Sequence, residues 1–155
     1  MAQYTGSGTC VSVSIAAPAT HTQAGFAALT YTTVGELESV GAIDIRNAAV
    51  SFANLCTGKT SRAKGVEEAI DFDITVAMDR DDAGQTIMAN ARKSLTQIVS
   101  IRIQESSGDT IYLRAYVMGE RVAGGAGINE IRQNVYSLGV VAPATGDTVV
   151  VVNAA

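Results

Sequence analysis

Residues 66–79 read V-E-E-A-I-D-F-D-I-T-V-A-M-D, and the reading of this stretch decides the fold. Val66, Glu68, Ile70, Phe72, Ile74, Val76 and Met78 share one parity, and Glu67, Ala69, Asp71, Asp73, Thr75, Ala77 and Asp79 share the other. Side chains alternate faces along a strand, so the pattern predicts one long strand with an apolar side and an acidic side. Glu68 is the single misfit on the apolar side. The plain reading is the solvated outer face of an antiparallel sheet. The sharper one is that several copies pool their acidic faces into a common surface.

Downstream the period changes. Asp82-Ala-Gly-Gln85 has capping-box spacing, with Asp79 and Asp81 adding negative charge where a helix N-terminus favours it. Ile87, Met88, Ala91 and Leu95 follow as one apolar stripe at helical spacing, with Arg92 and Lys93 closing the last turn. A helix over 82–94 is predicted. Alternation then resumes over 98–104 and 110–118 around the turn Ser106-Ser107-Gly108-Asp109, and again over 128–141 after the loose G-G-A-G of 124–127. Val149 to Val152 supplies a last short strand.

Upstream, T-G-K-T-S-R-A-K-G at 57–65 has no hydrophobic period and carries Lys59, Arg62 and Lys64. It reads as the polar loop of a long hairpin, longer than a hairpin needs. Glu36 to Asn47 sets Ile43 and Ile45 against Asp44 and Arg46, and Val50 and Phe52 continue the extended theme. Residues 24–34 and 10–15 read as two further extended segments. Residues 1–9 form a polar arm, and a tail follows Pro143. The expected class is mainly β (α+β): one domain over 1–155, an antiparallel two-sheet β-sandwich or rolled barrel with one flanking α-helix.

A chain of 155 residues is long enough for one substantial core and short for two. A net charge of −4 argues against nucleic-acid binding through a basic surface. The apolar content is Ala, Val and Ile with 15 Gly and no Trp, so part of the apolar surface is expected to serve neighbouring copies. No secretory segment is visible and no window reaches membrane-spanning length, which suggests a soluble chain made in a cytoplasm. Cys10 and Cys56 share no motif and read as free thiols, with a disulfide formed outside a cell as the alternative.

Catalytic and cofactor motifs fail on inspection. Gly58-Lys59-Thr60 resembles the end of a phosphate loop, but position 53 is Ala where Gly is needed, and a strand follows rather than a helix. Asp79, Asp81 and Asp82 lack the alternate spacing and late Glu of a cation loop. Asp71 and Asp73 share a face without the polar pocket a hydrolase needs. His21 stands alone, and no two-Cys metal site has His partners. No enzyme, cofactor or metal is expected.

The strand ending M-D-R-D-D-A, the helix Q-T-I-M-A-N-A-R-K-S, the strand Q-I-V-S-I-R-I, the S-S-G-D-T turn into I-Y-L-R-A-Y-V-M-G and the final I-R-Q-N-V-Y-S-L-G-V-V together resemble the major tail tube protein of long-tailed (siphophage-type) bacteriophages. The resemblance covers roughly residues 36–142 and lies in order and spacing. It extends to the related inner tubes of type VI secretion and contractile tails. It implies a virion structural protein, assembled in the host cytoplasm, whose hexameric rings stack into a tube that conducts viral DNA during ejection. Glu67, Asp71, Asp73 and, less directly, Asp44 would line the bore, where Arg46 and Arg114 would blunt the charge if they also pointed inward. Lys59, Arg62 and Lys64 would form an inter-ring loop. The implied partners are further copies of the chain, a tape-measure protein, a tail tip and a tail terminator, with DNA passing unbound and no membrane.

The alternative is a monomeric or dimeric β-sandwich binding or decoration module of a virion. Such a module needs an exposed aromatic cluster, whereas the five Tyr are scattered.

Overall fold

In the computed structural model, residues 3–125 and 127–154 are described. Met1 and Ala2 of the arm, Ala126 of the G-G-A-G loop and Ala155 of the tail lie outside the described residues. The elements are β1 (Cys10–Ser14), α1 (Gln23–Ala27), β2 (Thr32–Thr33), β3 (Leu37–Val40), β4 (Asp44–Asn54), β5 (Lys59–Ile70), β6 (Phe72–Ala77), α2 (Ala83–Lys93), β7 (Val99–Gln104), β8 (Thr110–Ala123), β9 (Gln133–Val140) and β10 (Val150–Val152). The mainly β, two-sheet antiparallel architecture with a flanking helix is the one expected from the sequence.

The stretch that decides the fold is not one strand. It breaks at Asp71, leaving β5 in a two-stranded sheet with β4 and β6 in an eight-stranded sheet ordered β2-β1-β7-β8-β9-β6-β3, with β10 added to β8. Alternation runs unbroken through the junction, so parity carries no mark of the change of partner. β6 keeps the predicted pattern, with Phe72, Ile74 and Val76 buried and Asp73, Thr75 and Ala77 on the outer face. Val66, by contrast, is exposed on β5, where no core lies beneath it.

The large sheet curls around one core. Val11 and Val13 of β1, Ile101 of β7 and Leu113 of β8 meet Ile74 of β6 and Leu138 of β9 in a single cluster. β8 spans both halves and bends where its register slips between Val117 and Gly119, as a bulge requires. Helix α2 closes the core with Met88 and Ala91. Its bounds fit the prediction, but Leu95 lies past the Ser94 cap and is exposed, so the helical stripe ends one turn early.

Half of the predicted capping box forms. Asp82 Oδ2 accepts from the Gln85 backbone N–H at 2.8 Å, but the Gln85 side chain does not return to Asp82. Gln85 is buried and instead braces the end of β6 and the link between β2 and β3. Its Nε2 donates to Ala77 O (2.9 Å) and Gly35 O (3.2 Å), and its Oε1 accepts from Asp79 N (3.1 Å). Gly84 lets this turn press on β2, since a Cβ there would sit 2.5 Å from Thr33 O.

Residues 24–34, expected to be extended, instead hold α1, capped by Thr22 and followed by the two-residue β2. Phe26 on α1 stacks on Tyr112 (5.5 Å) and His21 meets Phe26 edge-on. Tertiary packing on the outer face of β8 therefore overrides the local pattern. Arg102 lies 4.7 Å above the Tyr31 ring beside them. Burial, with a smaller push from Tyr112, raises the Tyr31 phenol from 10.0 to about 12, and Arg102 opposes the rise. Burial likewise raises Tyr136, where Glu120 adds to the effect.

Candidate self-assembly surface

The basic stretch expected as a loop is mostly strand. The turn is confined to 55–58, and 59–65 belong to β5. Asn54 makes so tight a turn feasible: its Oδ1 accepts from Cys56 N and Thr57 N, its carbonyl accepts from Gly58 N, and Gly58 adopts φ 63°. The stretch shows no hydrophobic period because Thr60, Arg62 and Lys64 lie opposite Ala53, Ser51 and Ala49, with no core beneath.

β4 and β5 thus form a long arm in which every residue from Ser51 to Lys64 is exposed. The arm is amphipathic. The register slip between Asn47 and Ala49 puts its extra residue on β5, so β4 alternates without a break: Val50 and Phe52 share a face with Arg46, and Ile45 lies on the other face with Ala49 and Ser51. Across the ladder the outer half of the Val50–Phe52 face carries Ala63 and Ser61, with Glu68 beside Arg46 nearer its base, and the opposite face carries Glu67, Lys64 and Arg62. Phe52 is 66% exposed, Val50 55%, and Leu55 at the turn is fully exposed. A lone two-stranded hairpin is marginal in water, and an uncovered apolar face on one is an interaction surface.

The four predicted acidic residues do not form one patch. Asp71 and Asp73 lie together on the outer face of the large sheet. Asp73 accepts from Ser137 Oγ (2.7 Å) and pairs with Arg121 (3.2 Å), while Asp71 Oδ1 lies 3.4 Å from where a Gly139 Cβ would be. Glu67 is on the arm and accepts from Thr148 Oγ1 of the tail at 2.5 Å. Asp44 falls on the face of the arm opposite Glu67 and pairs with Arg46. Arg46 therefore does blunt an acidic group. Arg114 lies opposite Ser100 on β7, with its Nε buried and unpartnered. Arg121 was not singled out from the sequence, because the β8 bulge changes which parity faces out.

Lys59, Arg62 and Lys64 form no ion pair among the described residues, where the three pairs are Arg46–Asp44, Arg92–Glu120 and Arg121–Asp73. Cys10 and Cys56 are both free and exposed, Cys56 at the arm's tip. The acidic run 79–82 serves the helix: Asp82 caps it and Asp79 Oδ1 accepts from Asp81 N. Beside the base of β4, a cleft of about 740 Å³ opens between residues 6–9, the β3–β4 connection and the end of the β7–β8 pair.

No family model matches the sequence, and no curated protein matches it. Among solved structures the chain is similar to the SPP1 tail tube, at 15% identity and TM-score 0.59, over 85% of this chain and 72% of that one. It is similar to the tail of an empty GTA particle solved with C6 symmetry, at 11% identity and TM-score 0.62, over 99% and 100% of the two chains. It is also similar to the sheath/tube terminator of PVC, an extracellular contractile injection system, at 13% identity and TM-score 0.62, over 97% of each. The chain has the fold of phage-tail and injection-system tube proteins, as the sequence resemblance implied.

Proposed function

We propose that the protein is a structural subunit of a tail tube, which self-assembles into hexameric rings that stack around a bore through which viral DNA passes. The observation that carries this reading is the amphipathic arm, whose apolar face has no cover within the subunit and whose length far exceeds a connecting turn. The fold supports it, and the C6 symmetry of the similar GTA tail supports six copies per ring. The protein acts in the virion tail of a siphophage-type particle, assembled in the host cytoplasm. A tape-measure protein, tail tip and terminator are its further partners.

In this reading Glu67, Asp71 and Asp73 face the bore, and Asp44, on the opposite face of the arm from Glu67, turns away from it. DNA phosphates gather where cations gather, so acidic walls keep the polymer moving. Arg121, paired with Asp73, tempers that charge. Lys59, Arg62 and Lys64 engage the neighbouring ring and fix register through charge.

Terminators share the fold, as the PVC terminator and the cap of the anti-feeding prophage do, so a single terminating ring is the second reading. Negative-stain electron microscopy of the purified protein at high concentration, beside sedimentation, separates them. Hollow rods are expected. Isolated rings that never stack favour the terminator, and a monomer at every concentration overturns both.

A further inference from the structure

The cleft and the tip of the arm complement each other. The floor of the cleft is apolar: Leu37, Val40, Ile43 and Ile111 pack on the core at its base beside the buried Ile103. Its charged lining residues are Glu38 and Glu105, and neither is ion-paired among the described residues. One wall is β3, the last strand in the sheet order, whose outer edge has no neighbouring strand among the described residues and can receive another. The tip of the arm offers the opposite chemistry: Phe52 and Leu55 as apolar anchors, with Lys59 on the Phe52 face and Arg62 on the other, neither of them ion-paired among the described residues.

The arm cannot fill its own cleft. Gly41, Ala42 and Ile43 line the cleft and lead into the base of β4. At roughly 3.3 Å per residue the tip at Leu55 stands about 40 Å away along an extended strand. An occupant from this sequence therefore comes from a second copy.

We infer that the tip of the β4–β5 arm docks in the β3 cleft of a neighbouring copy, with Phe52 and Leu55 on its apolar floor and Lys59 and Arg62 at Glu38 and Glu105. This rests on the self-assembly reading and names the surface that receives the arm. Tip and cleft are different surfaces, so the contact is head-to-tail, and each bound copy presents an unused tip or cleft to the next. The assembly is polar and open-ended until a partner lacking one of the two surfaces ends it.

The native cysteines report on the contact. Cys56 lies in the tip's turn, and Cys10 follows Thr9 of the cleft wall, its Sγ 3.8 Å from Gly8 O. Assembled wild-type protein treated with a short bismaleimide is expected to give a ladder of cross-linked oligomers, abolished by Cys10→Ser and by Cys56→Ser. Cys10→Ser with Ala42→Cys, which moves the thiol to the opposite wall, is expected to restore the ladder. Glu38→Lys with Glu105→Lys should raise the concentration needed for assembly by about tenfold, and adding Lys59→Glu with Arg62→Glu should reverse the defect. Normal tubes that cross-link from neither wall overturn the docking and leave the tube reading standing. Wild-type protein that never assembles overturns the tube reading itself.

Discussion

Phe52→Ser tests the role of the apolar arm most directly. Phe52 keeps 66% of its surface exposed, and its cross-strand neighbour is Ser61, so the subunit gains little from the ring. A phenylalanine carries about 200 Å² of buriable surface, which leaves roughly 130 Å² for a neighbour to cover. At about 25 cal/mol per Å² that is about 3 kcal/mol per contact. At 1.4 kcal/mol per tenfold, losing it raises the critical concentration for assembly about 100-fold. Removing an exposed side chain from the free subunit should change its stability by less than about 0.5 kcal/mol.

Two assays on the same preparation separate these effects. Pelleting across a concentration series gives the critical concentration, and urea denaturation of unassembled subunit gives the folding stability. The expected result is a large shift in the first with almost none in the second. A critical concentration within about twofold of wild type would refute burial of Phe52 at an interface, since even half the estimated area predicts roughly a tenfold shift.

Gln85→Ala removes the three side-chain hydrogen bonds that brace Gly35, Ala77 and Asp79, and should cost about 3 kcal/mol in urea denaturation. A loss under about 1 kcal/mol would mean that water replaces the bracing. Asp71→Lys with Asp73→Lys should spare tube formation yet lower virion infectivity by about tenfold or more, because the bore would then hold phosphates. Unchanged infectivity would remove these residues from the bore. A phenol is neutral when protonated, so the raised Tyr31 pKa means that the folded state holds the proton more tightly than the unfolded chain. Its stabilising contribution is complete below pH 10 and is lost as pH rises towards about 12, a window that alkaline denaturation of the Tyr31→Phe variant should flatten.

Most of the body was legible in the sequence because its elements bury one face against a single core. Val11, Val13, Ile101, Ile103, Leu113 and Ala115 alternate because the curled sheet has one apolar side. Asp82 marked the start of α2 because a short acceptor must meet the free N–H of Gln85 there. Residues 24–34 were misread because α1 is only five residues long and is held by Phe26 packing on Tyr112, a contact that no local period announces. Parity also says nothing about which strand lies alongside, so the passage from β5 to β6 at Asp71 left no trace in the alternation.

The surfaces were harder to read than the core, and two of the three register slips among the described residues explain much of it. An extra residue shifts the side-chain period by one, so residues on opposite sequence parities come to share a face. The slip between Asn47 and Ala49 shifts the period of β5, so Ala63 and Ser61 instead of Lys64 and Arg62 come to lie opposite Val50 and Phe52, and the two cations join Glu67 on the other face. The slip between Val117 and Gly119 turns Arg121 outward to Asp73 and sends Glu120 towards Arg92 of the helix. Both bulges therefore act at the junction between body and surface. One builds the arm's contact face, and the other moderates the acidic patch beside β6. Within this fold, assembly chemistry depends on where the β period is broken as much as on which residues follow it.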